Sequence, residues 1–297
     1  MNTNASSDAA SWTTLQKVLV GTIGVLMLAH TSFRLWDATN PLQRVNWPLS
    51  VIVFALFAFV NCLYAQGWKR TIAFFAITCI AAWSCEAYGL THAWLFGTYY
   101  YTDVLGWKIL GTVSWPIPLA YFMVLYPSTI MANLAIRGTP VTRKLHWGWS
   151  IFAALLGALI MSAWDLTMDP YMSLQQKAWI WADGGPYFGI PFRNFAGWVF
   201  TTFTAGLVYR LIEHRIPLKP MGHMNKLVVV APILCYAVLP IGDLAMGFPE
   251  ATKVIAPFSM GIAVIAALMR MGEPEDTTVN AVNAVNEVNA GNAERAG

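Results

Sequence analysis

The sequence predicts an all-α fold, a polytopic integral membrane helix bundle of about eight transmembrane helices. Three observations carry that expectation. Hydrophobic residues make up 57% of the 297-residue chain and charged residues only 11%, against about a quarter charged in a soluble domain. Mean hydropathy is +0.52, and the apolar residues fall in separate runs near the roughly 20 residues that cross a hydrocarbon core. Lysine and arginine favour alternate loops between those runs. The net charge of +3 belongs to those loops, and no basic block with interleaved aromatics suggests a nucleic-acid partner.

Taken in order, a polar segment over 1–14 leads into a first span near 15–36 that carries His30 and Arg34. No A-x-A cleavage signal follows it, so it reads as a retained helix. Further spans lie near 47–66, 71–91, 110–136, 146–165, 191–212, 226–247 and 252–271. Asn40-Pro41, Trp47-Pro48 and the stretch from Gly138 to Pro140 punctuate their borders. Pro116, Pro118 and Pro127 fall inside the fourth span, which is expected to be kinked or partly unwound. Glu250 and Lys253 crowd the start of the eighth, and without it the count is seven. Residues 15–271 thus read as one transmembrane domain. The tail 272–297, with its recurring Val-Asn-Ala pattern, reads as disordered. Cys62, Cys79, Cys85 and Cys235 lie in apolar runs without a C-x-x-C pair and read as small apolar side chains.

With the N-terminus inside, eleven Lys and Arg residues fall on the cytoplasmic side, Arg70, Arg137 and Arg210 among them, and six on the other. Both termini are therefore expected in the cytoplasm, in a multi-pass protein of the inner membrane. The acids sort the opposite way. Asp37, Glu86, Asp103, Asp165, Asp169, Asp183, Asp243 and Glu250 all fall near the non-cytoplasmic ends of spans, with two long aromatic loops at about 92–109 and 166–190. Acids from spans three, five and seven are expected to converge on that face.

An ionisable side chain as deep as Glu86 usually faces a cavity or a partner. It reads either as a general acid in a dry site or as a contact between helices, paired with His30 or His92. Asp165 and Asp169, in Trp164-Asp165-Leu166-Thr167-Met168-Asp169-Pro170, stand four apart and share one helical face. Two carboxyls that close can share a proton or bind a divalent cation; Asp169 also reads as a turn residue before Pro170. The aromatic loops read as an interfacial belt or as faces that stabilise a developing cation. Asn194, at the start of an apolar helix, can hold a carboxyl or a water. No nucleotide fingerprint, H-E-x-x-H, G-x-S-x-G or His-rich box is present, and no lysine sits mid-span in the last two helices as a retinal Schiff base would need.

Three ordered blocks carry a resemblance: Glu86-Ala87-Tyr88-Gly89 through Phe96-Gly97-Thr98-Tyr99-Tyr100-Tyr101-Thr102; Trp164-Asp165 to Asp169-Pro170; and Trp179-x-Trp181 through Gly189-Ile190-Pro191 to Asn194-Phe195-x-Gly197-Trp198. Over roughly 80–245 the chain resembles the membrane-bound carotenoid 1′,2′-hydratases of the γ-carotene and bisanhydrobacterioruberin type. It departs at His92, where glycine is expected. The resemblance implies addition of water across the terminal 1,2 double bond of an acyclic carotenoid end, with lycopene or γ-carotene as the kind of substrate held in the bilayer. It implies no redox cofactor and no metal, and association with other enzymes of the carotenoid pathway. It further implies Asp165 or Glu86 as proton donor and Asp169 as the group that tunes or re-protonates it. Tyr100, Trp164, Trp181 and Trp198 would line the cation, and Asn194 or Asp183 would position the water. Two rivals stand beside it: a prenyl-transferring or cyclising enzyme using Asp165 and Asp169 with Mg²⁺, and a transporter with an acidic path.

Overall fold

The computed structural model describes residues 12–40, 47–141, 146–221 and 226–271, and the tail 272–297 lies outside them. Among these residues eight helices are long and apolar enough to cross a membrane. They are α1 (Thr14–Thr39), α2 (Trp47–Gln66), α3 (Trp68–His92), α4 (Pro116–Arg137), α5 (Trp147–Pro170), α6 (Phe192–Glu213), α7 (Lys226–Met246) and α8 (Thr252–Met271). Thr13 and Gln16 close a reciprocal cap on the first turn of α1. α4 is the central post, packed against α2, α3, α5 and α7, while α1 and α8 lie at the rim with few buried residues.

The helix borders follow proline chemistry. Pro116 and Pro118 occupy the first turn of α4, where a missing N–H leaves no intrahelical acceptor unpaired. α4 therefore runs unbroken from Pro116 to Arg137, and the expected unwinding does not occur; only Pro127 is interior. α5 continues past the expected border at 165, carries Asp169 in helix, and closes in a π turn at Tyr171–Gln175. In α8 a second π turn, Pro257–Gly261, absorbs Pro257, so the eighth span forms despite Glu250 and Lys253.

Both outer ends of the bundle emerge on one face. Gln16 Nε2 of α1 donates to the Met221 carbonyl at 3.1 Å, and Arg270 of α8 lies against Gly138 after α4. A polar cluster staples this face. Arg210 pairs with Glu213 at 3.0 Å and donates to Asn133, Tyr209 donates to Gln66 Oε1 at 2.7 Å, and Arg70 Nε donates to the Ile216 carbonyl at 2.9 Å. Arg70 and Arg210, counted from sequence among the cytoplasmic-side cations, are 2% and 4% exposed.

The opposite face is roofed by the two aromatic loops. They pair as an antiparallel ribbon of β1 (Tyr99–Tyr101) and β4 (Trp179–Trp181), in the register Tyr99 to Trp181 and Tyr101 to Trp179. Between β1 and α4 a hairpin of β2 (Lys108–Ile109) and β3 (Val113–Ser114) stands on the same face.

Candidate active site

Glu86 projects from the penultimate turns of α3 into the protein and is 3% exposed. Both carboxyl oxygens are bonded. Tyr99 and Tyr101 donate to Oε2, the latter at 2.8 Å, and Tyr121 of α4 donates to Oε1 at 2.8 Å. The two ribbon tyrosines reach Glu86 because successive strand residues point to opposite faces: Tyr99 and Tyr101 turn inward and Tyr100 outward. Burial, and next the Glu86 charge, hold the Tyr99 and Tyr101 hydroxyls well above the usual tyrosine range, so both stay hydrogen-bond donors.

Across the ribbon the same alternation serves a second acid. Trp179 and Trp181 donate their indole N–H groups to Asp169 Oδ1 at 2.7 and 3.1 Å. Asn194, in the first turn of α6, donates from Nδ2 to Asp169 Oδ2 and to Asp165 Oδ2, both at 2.8 Å. One carboxamide thus bridges two acids a helical turn apart on α5. Asp165 Oδ1 is buried and receives no hydrogen bond.

These groups surround a small pocket whose wall is mostly aromatic, with Trp47, Phe96, Trp164 and Trp198 beside the ribbon residues. Its polar lining includes Glu86, Asp169 and Asn194, while Asp165 stands one layer behind. Trp198 stacks on Tyr121 at 4.3 Å between ring centres and meets the Trp164 ring edge to face at 6.2 Å. Phe96 is seated by two glycines: a Cβ on Gly89 would lie 2.6 Å from its ring, and one on Gly197 2.5 Å.

The structure therefore brings together Glu86, Asp165, Asp169, Asn194, Trp164, Trp181 and Trp198. It separates three residues expected with them. Tyr100 is 55% exposed, because the ribbon's alternation turns it outward. His92 lies at the exposed end of α3, stacked on Tyr88 at 4.2 Å and bonded to Thr91, apart from the acids. Asp183 pairs with Arg193 at the surface at 3.1 Å, each side chain about half exposed. Asp243, the acid of span seven, is engaged elsewhere: Arg34 of α1 donates to its Oδ1 at 3.2 Å and Thr167 of α5 to its Oδ2 at 2.7 Å. The expected convergence thus holds for spans three and five and fails for seven.

Tyr99, Tyr101, Tyr121, Trp179 and Phe96 were given no site role from sequence. The period-two pattern of Tyr99-x-Tyr101 and Trp179-x-Trp181 is the signal that finds three of them; nothing in an apolar span marks Tyr121. Among the described residues no three His, Cys, Asp or Glu side chains converge as a metal-ligand set.

Comparison with known proteins bears on this site. Bisanhydrobacterioruberin hydratase of Haloarcula japonica is 22% identical over 141 residues, which cover 48% of this chain and 45% of that protein. The alignment therefore spans under half the length of that relative. No solved structure is significantly similar. Residues 46–268, from the start of α2 nearly to the end of α8 and including every acid of the pocket, match the carotenoid biosynthesis protein family, and the chain belongs to that family.

Proposed function

We propose that the protein is a carotenoid hydratase that adds water across the terminal 1,2 double bond of an acyclic carotenoid end. The observation that carries the reading is the contrast between the two acids on the pocket wall. Three N–H groups hold the Asp169 carboxyl, and these donate and cannot accept. That setting suits a group that rests as a carboxylate. All three partners of Glu86 are phenols, which can donate or accept by rotating one O–H. That setting suits a group that gives up and regains a proton.

In the proposed reaction the Glu86 carboxyl protonates the CH carbon of the terminal dimethyl-substituted double bond. The positive charge develops on the carbon bearing two methyl groups, among the rings of Trp164, Trp181 and Trp198, with Asp169 as counter-charge. A water held between Asp169 and the Asn194 carbonyl oxygen forms the new C–O bond. Its surplus proton passes to the carboxylate, giving a neutral tertiary alcohol, and the proton returns to Glu86 before the next turnover. Asp165, sharing Asn194 with Asp169, is the positioning partner of this pair. The pocket takes one end group, and the rest of the polyene lies in the bilayer. The diphosphate alternative is disfavoured because the pocket lining carries neither lysine nor arginine to meet phosphate.

The test is expression in a host that accumulates lycopene or γ-carotene, with pigments resolved by mass. Gain of one water per reacting end supports the reading. Glu86→Gln is expected to lower the rate about 10²- to 10⁴-fold, the usual share of a general acid. Unchanged pigments with the folded protein in the membrane would overturn it.

A further inference from the structure

The hairpin between β1 and α4 is built inside out for a surface in water. Residues 104–115 hold one charge, Lys108, and its Nζ is turned inward to donate to the Tyr101 carbonyl at 3.0 Å. The side chains turned outward are apolar: Val104 is 49% exposed, Trp107 66% and Leu110 81%. At the tip the Thr112 N–H closes on the Ile109 carbonyl at 3.0 Å, and the two central residues, Leu110 and Gly111, both have positive φ, 48° and 72°. Such turns favour Asn-Gly or Asp-Gly, since a short polar side chain tolerates the left-handed backbone. Leucine there carries backbone strain and gains nothing from water. The hairpin is also rigid, with Leu105 fully buried and Trp107 stacked near-parallel on Trp115 at 6.2 Å.

Its place in the fold names the occupant. The hairpin rises where α3 ends and α4 begins, and β3 packs on α3. The exposed Tyr88 and Trp94 carry the lipid-facing surface of α3 up to the same level. We infer that the hairpin seats Trp107 and Leu110 in the headgroup–acyl boundary of the adjoining leaflet, as an apolar anchor continuous with the lipid-facing surface of the bundle. Through Lys108 that anchor is tied to Tyr101, whose hydroxyl bonds Glu86. The leaflet thereby supports the ribbon that roofs the pocket. This inference does not depend on the reaction catalysed.

The test places an environment-sensitive fluorophore on Leu110→Cys in phosphatidylcholine vesicles, with Glu250→Cys as reference because its side chain is 92% exposed on the same face. Unsubstituted protein corrects for labelling of the four native cysteines. A blue-shifted emission at 110, quenched by spin-labelled acyl chains and shielded from iodide while position 250 shows the reverse, is the expected result. Quenching by iodide alone would place the hairpin in water and overturn the inference. Shielding from both quenchers, with dependence on protein density, would make the occupant a second copy of the chain and overturn it equally.

Discussion

Seven hydrogen bonds fix three carboxyls in this protein, and the kind of donor matters as much as the count. Phenols surround Glu86 and N–H groups surround Asp169. Leaving a buried acceptor without its donor costs about 1–3 kcal/mol. Tyr121→Phe is therefore expected to lower stability in detergent by about 2 kcal/mol, read from thermal melts, and to slow the reaction further by altering the acid. An unchanged melt and rate would show that this phenol does not hold Glu86. A pH dependence belongs to the same residues. The Tyr99 and Tyr101 hydroxyls are raised by burial and by Glu86. Their contribution is complete below the unfolded tyrosine value near 10 and is lost as pH rises through the folded values. Melting temperature is expected to stay level from neutral pH to about 10 as far as these phenols act. Above that it should fall, and less so in the Tyr99→Phe, Tyr101→Phe double variant. An equal fall in both proteins would refute the linkage.

At the scale of the element, the ribbon explains what was legible in the sequence and what was not. The acids were legible, because a carboxyl inside an apolar run is conspicuous and i, i+4 spacing on a helix has one geometric meaning. Their donors were less so. Tyr99, Tyr100 and Tyr101 are identical in chemistry, and only strand alternation, fixed by pairing with residues about 80 positions later, decides which two face inward. His92 and Asp183 sat near the acids in sequence but on the outer side of a helix cap and a loop. The Phe96 notch was equally hidden, since a glycine in a helix does not announce what packs on it. Gly197→Ala is expected to push Phe96 and the Leu95 carbonyl aside, the latter 2.8 Å from the new Cβ. Overpacking of this kind costs about 1–3 kcal/mol and should narrow the pocket. Wild-type stability and turnover in that variant would show the notch to be slack.

At the scale of the whole molecule, eight spans were legible from hydropathy alone, and proline position corrected their borders. The pairing of distant helices was not legible. α1 packs on α2 and α7, and its polar ties include His30 Nε2 with the Cys235 carbonyl at 3.3 Å and the Arg34–Asp243 ion pair. Gly242 leaves room for that guanidinium, which a Cβ would approach to 2.8 Å. Arg34→Met strands a largely buried carboxylate and is expected to cost about 2–3 kcal/mol, below the range for a fully buried pair. Adding Asp243→Asn should restore part of it. Thermal melts of the single and double variants check this, and equal losses in both would deny the coupling.

The direction of the polypeptide gives the acid cluster a history as well as a shape. Every donor follows its acid in the chain: Glu86 waits 13, 15 and 35 residues for its three phenols, and Asp169 waits 10, 12 and 25 for its indoles and amide. At about 5–20 residues per second the longest wait is on the order of seconds. During synthesis each carboxyl enters the bilayer ahead of the groups that satisfy it. The placement of Glu86 and Asp169 toward the ends of their spans keeps that interval tolerable, so membrane insertion constrains where this chemistry can sit.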